Sequence, residues 1–163
     1  MDLTALKARA VAIEKEAFLT LSTPKRIDAF AYYFATSEAL PYTTHRIQGL
    51  PVDHADDNQD EQFPNPRLII RVVVGHLTDK YRGENDSIID TYIALLLPYF
   101  GAWRWFQSAA YPAALDGLIY SEVVDAGGFM VFDNRGFAGV AQVGFELTIA
   151  CTFTESIIQA YEE

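Results

Sequence analysis

Hydrophobic and polar positions alternate in three different rhythms along this chain. From Asp2 to Thr20, Leu3, Leu6, Ala10, Ile13 and Ala17 recur at helical spacing, with Lys7, Glu14, Lys15 and Glu16 between them. That period predicts an amphipathic helix ended by Pro24. Ile27–Phe34 and Leu40–Ile47 read as strands, the second helped by Thr43 and Thr44. "RLIIRVVVGHL" (Arg67 to Leu77) is β-branched and nearly continuous, the pattern of a strand central in a sheet. "GEND" then leads into a second helix. Asp86 or Ser87 is its expected cap, with Ser87 and Asp90 resembling a capping box. Its expected apolar stripe is Ile88, Tyr92, Leu96 (or Leu95), Tyr99 and Trp103, and Pro98 predicts a kink or an early stop near Leu97.

The last third of the chain reads as β structure. Leu118–Asp125 and Phe129–Phe132 are expected strands, and "DNRG" an expected turn, with Asn134 and Gly136 suited to positive φ. The final strand shows the clearest period of two. Val143, Phe145, Leu147, Ile149, Cys151 and Phe153 fall on one face, and Gln142, Gly144, Glu146, Thr148 and Thr152 on the other. Eleven such residues span roughly 36 Å, long enough to reach past the domain's own core to a neighbouring chain. One segment breaks the rhythm: "PVDHADDNQDEQFPNP" (Pro51 to Pro66) holds five carboxylates, three prolines and no Lys or Arg. A long acidic loop is expected there. The predicted fold class is α+β: a single domain over 1–163, with a mainly antiparallel β-sheet flanked by an N-terminal helix and a central helix.

Composition narrows the functional classes. At 163 residues with 11 Phe and 9 Tyr, the chain has the length and the bulk for one sizeable core. A net charge of −10 argues against clamping a nucleic-acid backbone, which needs clustered cations. The apolar run from Ile93 to Trp103 is interrupted by Pro98 and too short to span a bilayer. The charged N-terminus has no apolar signal-peptide core, so neither export nor a membrane partner is expected. One cysteine, Cys151, allows no internal disulfide, which suits a cytoplasmic folding environment.

Candidate chemistry is sparse. Gly127, Gly128, Gly136, Gly139 and Gly144 match neither a dinucleotide loop nor a P-loop, and read as turn and bulge residues between strands. Asp56, Asn58 and Asp60 have the alternate spacing that opens an EF-hand, but Glu61 and Arg67 stand where glycine and glutamate are required. Asp53 and His54 beside them suggest a weaker transition-metal site. Cys151 sits on an apolar strand face and reads as a small buried hydrophobe. Arg71 and His76 read as polar groups of the core or of an interface. No catalytic, cofactor or metal residue is therefore assigned. The aromatic exit "YFGAWRWF" is the stronger signal, because Trp, Tyr and Arg are the residues favoured as interface anchors. The candidate subunit or partner interface comprises Trp103, Arg104, Trp105, Phe106, Phe137, Gln142, Glu146 and Thr148.

Taken in order, the helix, the paired strands with "LPYTTHRI", the "RLIIRVVVGHL" strand, the helix "DSIIDTYIALLLPYF" and the closing "DGLIYSEVVDAGGFMVFDNRGFAGVAQVGFELTI" resemble the tail terminator (tail completion) proteins of tailed bacteriophages. The resemblance lies in the order of elements over most of the chain; the acidic segment and the tryptophan cluster fall outside it. It implies a sheet flanked by helices, no catalytic residues and no cofactor. It further implies a homohexameric ring at the head-proximal end of the tail tube. Such a ring stops tube polymerisation, joins the tail to the head connector and lets double-stranded DNA pass without specific binding. The expected location is the virion neck, after assembly in the host cytoplasm. The alternatives are another head–tail connector, such as an adaptor or stopper, and a small acidic ligand- or metal-binding α+β protein or enzyme with its site near His54.

Overall fold

The computed structural model describes residues 3–33, 37, 39–48, 52–55, 58–64, 66–77, 82–100, 118–132, 141–153 and 157–158. Its elements are α1 (Leu3–Leu19), β1 (Asp28–Phe30), β2 (Tyr42–Gln48), β3 (Val52–Ala55), β4 (Asn58–Pro64), β5 (Arg67–His76), α2 (Arg82–Phe100), β6 (Leu118–Ala126), β7 (Met130–Phe132), β8 (Gln142–Phe153) and β9 (Ile157–Ile158). Six strands form the main sheet in the order β1-β2-β5-β8-β6, with β7 also paired to β8. Among the described strands only the β1–β2 pairing is parallel. The predicted α+β class, with a mostly antiparallel sheet and two helices, is what the chain adopts.

The first helix follows the stripe read from the sequence: Leu6, Ala10, Ile13 and Ala17 are all buried. It ends where Thr20 folds back, its N–H and Oγ1 both donating to the Ala17 carbonyl at 3.0 and 2.7 Å. Both helices lie over one face of the sheet. There Leu68, Ile70 and Val72 of β5 and Val143, Phe145, Leu147, Ile149 and Cys151 of β8 join the helices' apolar residues in one core. Phe18 and Tyr92 pack edge to face, 4.9 Å between centroids, tying α1 to α2. Each fully buried Leu or Phe here contributes about 1.5–3 kcal/mol of transfer free energy.

Four expectations are corrected. The segment 51–66 is not a loop: β3 and β4 pair antiparallel within it, and β4 pairs in turn with β9 to make a separate three-stranded sheet. The ladder joins backbone groups whatever the side chains' charge, so an acidic, apolar-poor sequence can still supply strands. The second helix starts at Arg82, so Asp86 and Ser87 lie inside it, and Ser87 accepts a hydrogen bond from Thr91 at 2.9 Å. Asn85 is the reason: it is buried and donates from Nδ2 to the His76 carbonyl at 3.3 Å, pinning the first turns of α2 to the end of β5. Pro98 does not stop this helix, which runs on to Phe100. The proline forfeits only the hydrogen bond to Ala94, an exposed position where water can serve the carbonyl, while Leu96 and Phe100 anchor the flanking turn in the core. The buried stripe is accordingly Asn85, Ile89, Tyr92, Leu96 and Phe100, with Ile88 and Tyr99 only partly covered. Finally, the strand expected at Ile27–Phe34 is limited to Asp28–Phe30.

Gly127 and Gly128 lie between β6 and β7, as the turn reading requires. Gly144 does something else. It sits within β8 opposite Val73, where β5 bulges between Val73 and Gly75. A Cβ at Gly144 would stand 1.8 Å from the Val72 carbonyl oxygen. Only glycine permits the two central strands to approach this closely.

Candidate interaction face

The strand period of two assigns every residue of β2, β5 and β8 to one side of the sheet or the other. Under the helices, β2 carries His45, opposite Ile70 of β5. Its imidazole meets Glu14 of α1, Nε2 to Oε2 at 2.5 Å, and its Nδ1–H donates to the Phe30 carbonyl at 2.6 Å. Both side chains are wholly excluded from solvent. Burial alone depresses the His45 pKa and is the largest single influence. The charge and hydrogen bond of Glu14 and the Phe30 carbonyl together overcome it, against a smaller opposing effect of Lys7, and the net shift is upward from 6.5. With an acceptor at each ring nitrogen, the doubly protonated imidazolium is the favoured form.

The sequence reading misses this pair, because it counts Glu14 among the polar residues between the stripe positions of α1. The signal lay in its position, four residues after Ala10 and four before Phe18, on the buried stripe itself. A carboxylate there requires a buried partner.

On the opposite face Tyr42, Thr44, Ile69, Val73, Phe132 and Gln142 are buried, and the charged side chains among them reach solvent in part. β2 contributes Thr44, Arg46 and Gln48 to this face, β5 Arg67, Ile69 and Arg71, and β8 Gly144, Glu146, Thr148 and Ala150; of these Thr44, Ile69 and Gly144 are buried. Tyr33, from the segment after β1, spreads its ring beneath two guanidinium groups, Arg71 at 4.4 Å and Arg46 at 4.9 Å from the centroid. Arg71 also donates to the Tyr33 hydroxyl, stacks on Phe132 at 4.1 Å and lies 3.9 Å from a Glu146 oxygen. Cation–aromatic contacts of this kind hold an arginine side chain in one pose while leaving its charge in place.

The expected interface residues divide accordingly. Glu146 and Thr148 are half-buried on this face. Gln142 is wholly buried, and its Oε1 accepts a hydrogen bond from the Tyr42 hydroxyl. It is thus an interior group of this chain, packed at the small apolar cluster of Tyr42, Val73 and Phe132 and unavailable to a partner. Trp103, Arg104, Trp105, Phe106 and Phe137 lie outside the described residues. Sequence reading missed Tyr33, Arg46 and Arg67. The signal for the arginines is register: Arg46 pairs with Ile69, which stands between Arg67 and Arg71 on β5.

Other sites offer less. Burial pushes the Cys151 thiol up to about 12, so it is a protonated core group at neutral pH. A shallow cleft of about 320 Å³ between the α1–β1 segment and α2 is lined by Leu21, Ser22, Thr23, Lys25, Ser87, Ile88, Thr91 and Tyr92, with no carboxylate, His or Cys among them. Among the described residues no three His, Cys, Asp or Glu converge as a metal set, and no helix is long and apolar enough to cross a membrane. Comparison with known proteins adds no lead: no family model matches the chain, and no curated protein matches it.

Proposed function

We propose that this protein is a structural assembly subunit of a tailed bacteriophage, a tail terminator that closes a homo-oligomeric ring on the head-proximal end of the tail tube. The observation that carries the reading is the set of charged side chains on the sheet face away from the helices. Two helices cover one face; the other is buried at Tyr42, Ile69, Val73 and Gln142 but keeps Arg46, Arg67, Arg71, Glu146 and Thr148 at least partly exposed on three adjacent long strands. A rigid, charged, aromatic-braced face of this type suits a heterologous contact, in which one surface of a subunit meets a different surface of the next. The order of elements, helix, strands, helix and a closing long strand, supports the same family.

In this role the protein needs no catalytic group. Its work is mechanical: to occupy the growing end of the tube and present a new surface to the connector. The acidic balance of the chain, −10 overall, suits a ring through which DNA slides, because like charges repel.

The test is to polymerise tail tube protein with and without this chain and measure tube lengths by electron microscopy. A terminator halts elongation and leaves a density cap on one tube end. Tubes that grow to the same length with no cap count against the proposal. Binding to portal-bearing heads in place of tubes would favour an adaptor or stopper.

A further inference from the structure

Arginines 46, 67 and 71 surround the buried Ile69 on the sheet face away from the helices, Arg67 exposed and the other two partly so. Arg46 pairs with Ile69, so it lies diagonal to both Arg67 and Arg71 on the neighbouring strand. Diagonal neighbours on one sheet face are within reach of long side chains. Three of the chain's 12 cations are thus gathered on two strands of a protein with 22 carboxylates. Among the described residues only Arg71 has a carboxylate near, Glu146 at 3.9 Å. Neither Arg46 nor Arg67 makes an ion pair among the described residues, and the Nε atoms of Arg46 and Arg71 donate no hydrogen bond. Like charges side by side on a sheet face repel one another, so the cluster costs stability in an isolated subunit. An anionic occupant would remove that cost.

The chain itself carries the complementary element. The β3–β4 hairpin belongs to a second sheet, separate from the main one. Its strands include Asp53, Asp60 and Glu61 and neither Lys nor Arg. Seven residues of strand, the length of β4, reach about 23 Å. We propose that the acidic β3–β4 hairpin of one copy docks on the Arg46–Arg67–Arg71 cluster of the next. The inference rests on the ring reading and specifies its contact: a basic patch and an acidic hairpin on every copy, joined head to tail.

The experiment uses charge reversal in the full chain, with assembly followed by light scattering with and without tail tubes. Arg46→Glu with Arg67→Glu is expected to weaken assembly at least ten-fold. Asp60→Lys with Glu61→Lys is expected to do the same. A chain carrying all four substitutions again has complementary surfaces and regains assembly, and mixed with wild type it sorts into separate rings. Arg67 is exposed, so Arg67→Glu alone, checked for folding by circular dichroism, decides the matter if Arg46→Glu does not fold. Rings of either charge-reversed variant at wild-type strength would overturn the docking contact while leaving the ring intact. So would loss in both variants without recovery in the four-fold one. A wild-type chain that forms no ring, alone or on tubes, would sink the ring reading and the contact with it.

Discussion

Glu14 on α1 and His45 on β2 meet at 2.5 Å with neither side chain reaching solvent. This is an ion pair sealed between helix and sheet. Removing one member leaves an uncompensated charge in the interior, which costs about 3–5 kcal/mol. Glu14→Ala is therefore expected to lower the free energy of unfolding in urea by about that amount. Glu14→Leu combined with His45→Leu should recover part of the loss, since two apolar side chains strand no charge. Additive losses in the double variant would show that the two groups are not coupled.

The same pair makes stability depend on pH, and the direction follows from linkage. The His45 pKa is raised above 6.5 in the folded chain. The folded state then holds its proton at pH values where the unfolded state has released it. The stabilisation is complete below about 6.5 and is lost as pH rises through the higher folded value. Relative to His45→Gln, wild type should lose stability between pH 6 and pH 9 in denaturant titrations. Parallel pH curves for the two proteins would contradict this account of the pair.

Two glycines should respond unequally to alanine. At Gly144 the new methyl would stand 1.8 Å from the Val72 oxygen, and the neighbour is backbone in the centre of the sheet. At Gly128 nothing lies within 4 Å. Gly144→Ala is expected to cost about 3 kcal/mol or more, or to prevent folding, because the strands must separate. Gly128→Ala should stay within about 0.5 kcal/mol of wild type in thermal or urea unfolding. Equal effects at the two positions would mean that β5 and β8 do not approach as described.

Cys151 gives a probe of the core. Its thiol is buried and its pKa is pushed up to about 12. Alkylation by iodoacetamide at pH 8 should be slow in native protein and complete in denaturant. Rapid labelling of the native chain would place β8 nearer the surface than its packing under the helices allows.

The parts of the fold that were legible in the sequence are those where a period is enforced by burial on one side. The Leu6–Ala17 stripe gave α1, and the alternation from Val143 to Cys151 gave β8 to within its ends. Local pattern failed where a distant partner decides. Ser87 has the chemistry of a cap, but Asn85 is held by the His76 carbonyl and the helix begins before it. The polar run from Val52 to Pro64 has no hydrophobic period, and its strands are set by pairing with each other and with β9. Glu14 and Gln142 have exposed-type side chains, and what buries them is one partner 31 residues away and another 100 residues away. The face away from the helices was half visible: Glu146 and Thr148 follow from strand alternation. The arginine cluster depends on the β2–β5 register, which no local pattern encodes.

The central claim is that this chain is a ring-forming subunit, and its mass in solution bears on it most directly. Multi-angle light scattering over a range of concentrations, with and without tail tubes, is the measurement. The account predicts a species of about six times the 18.2 kDa chain, free or on tubes, that weakens as salt is raised and the charged contacts are screened. A monomer or dimer at every concentration that ignores the tubes would contradict it.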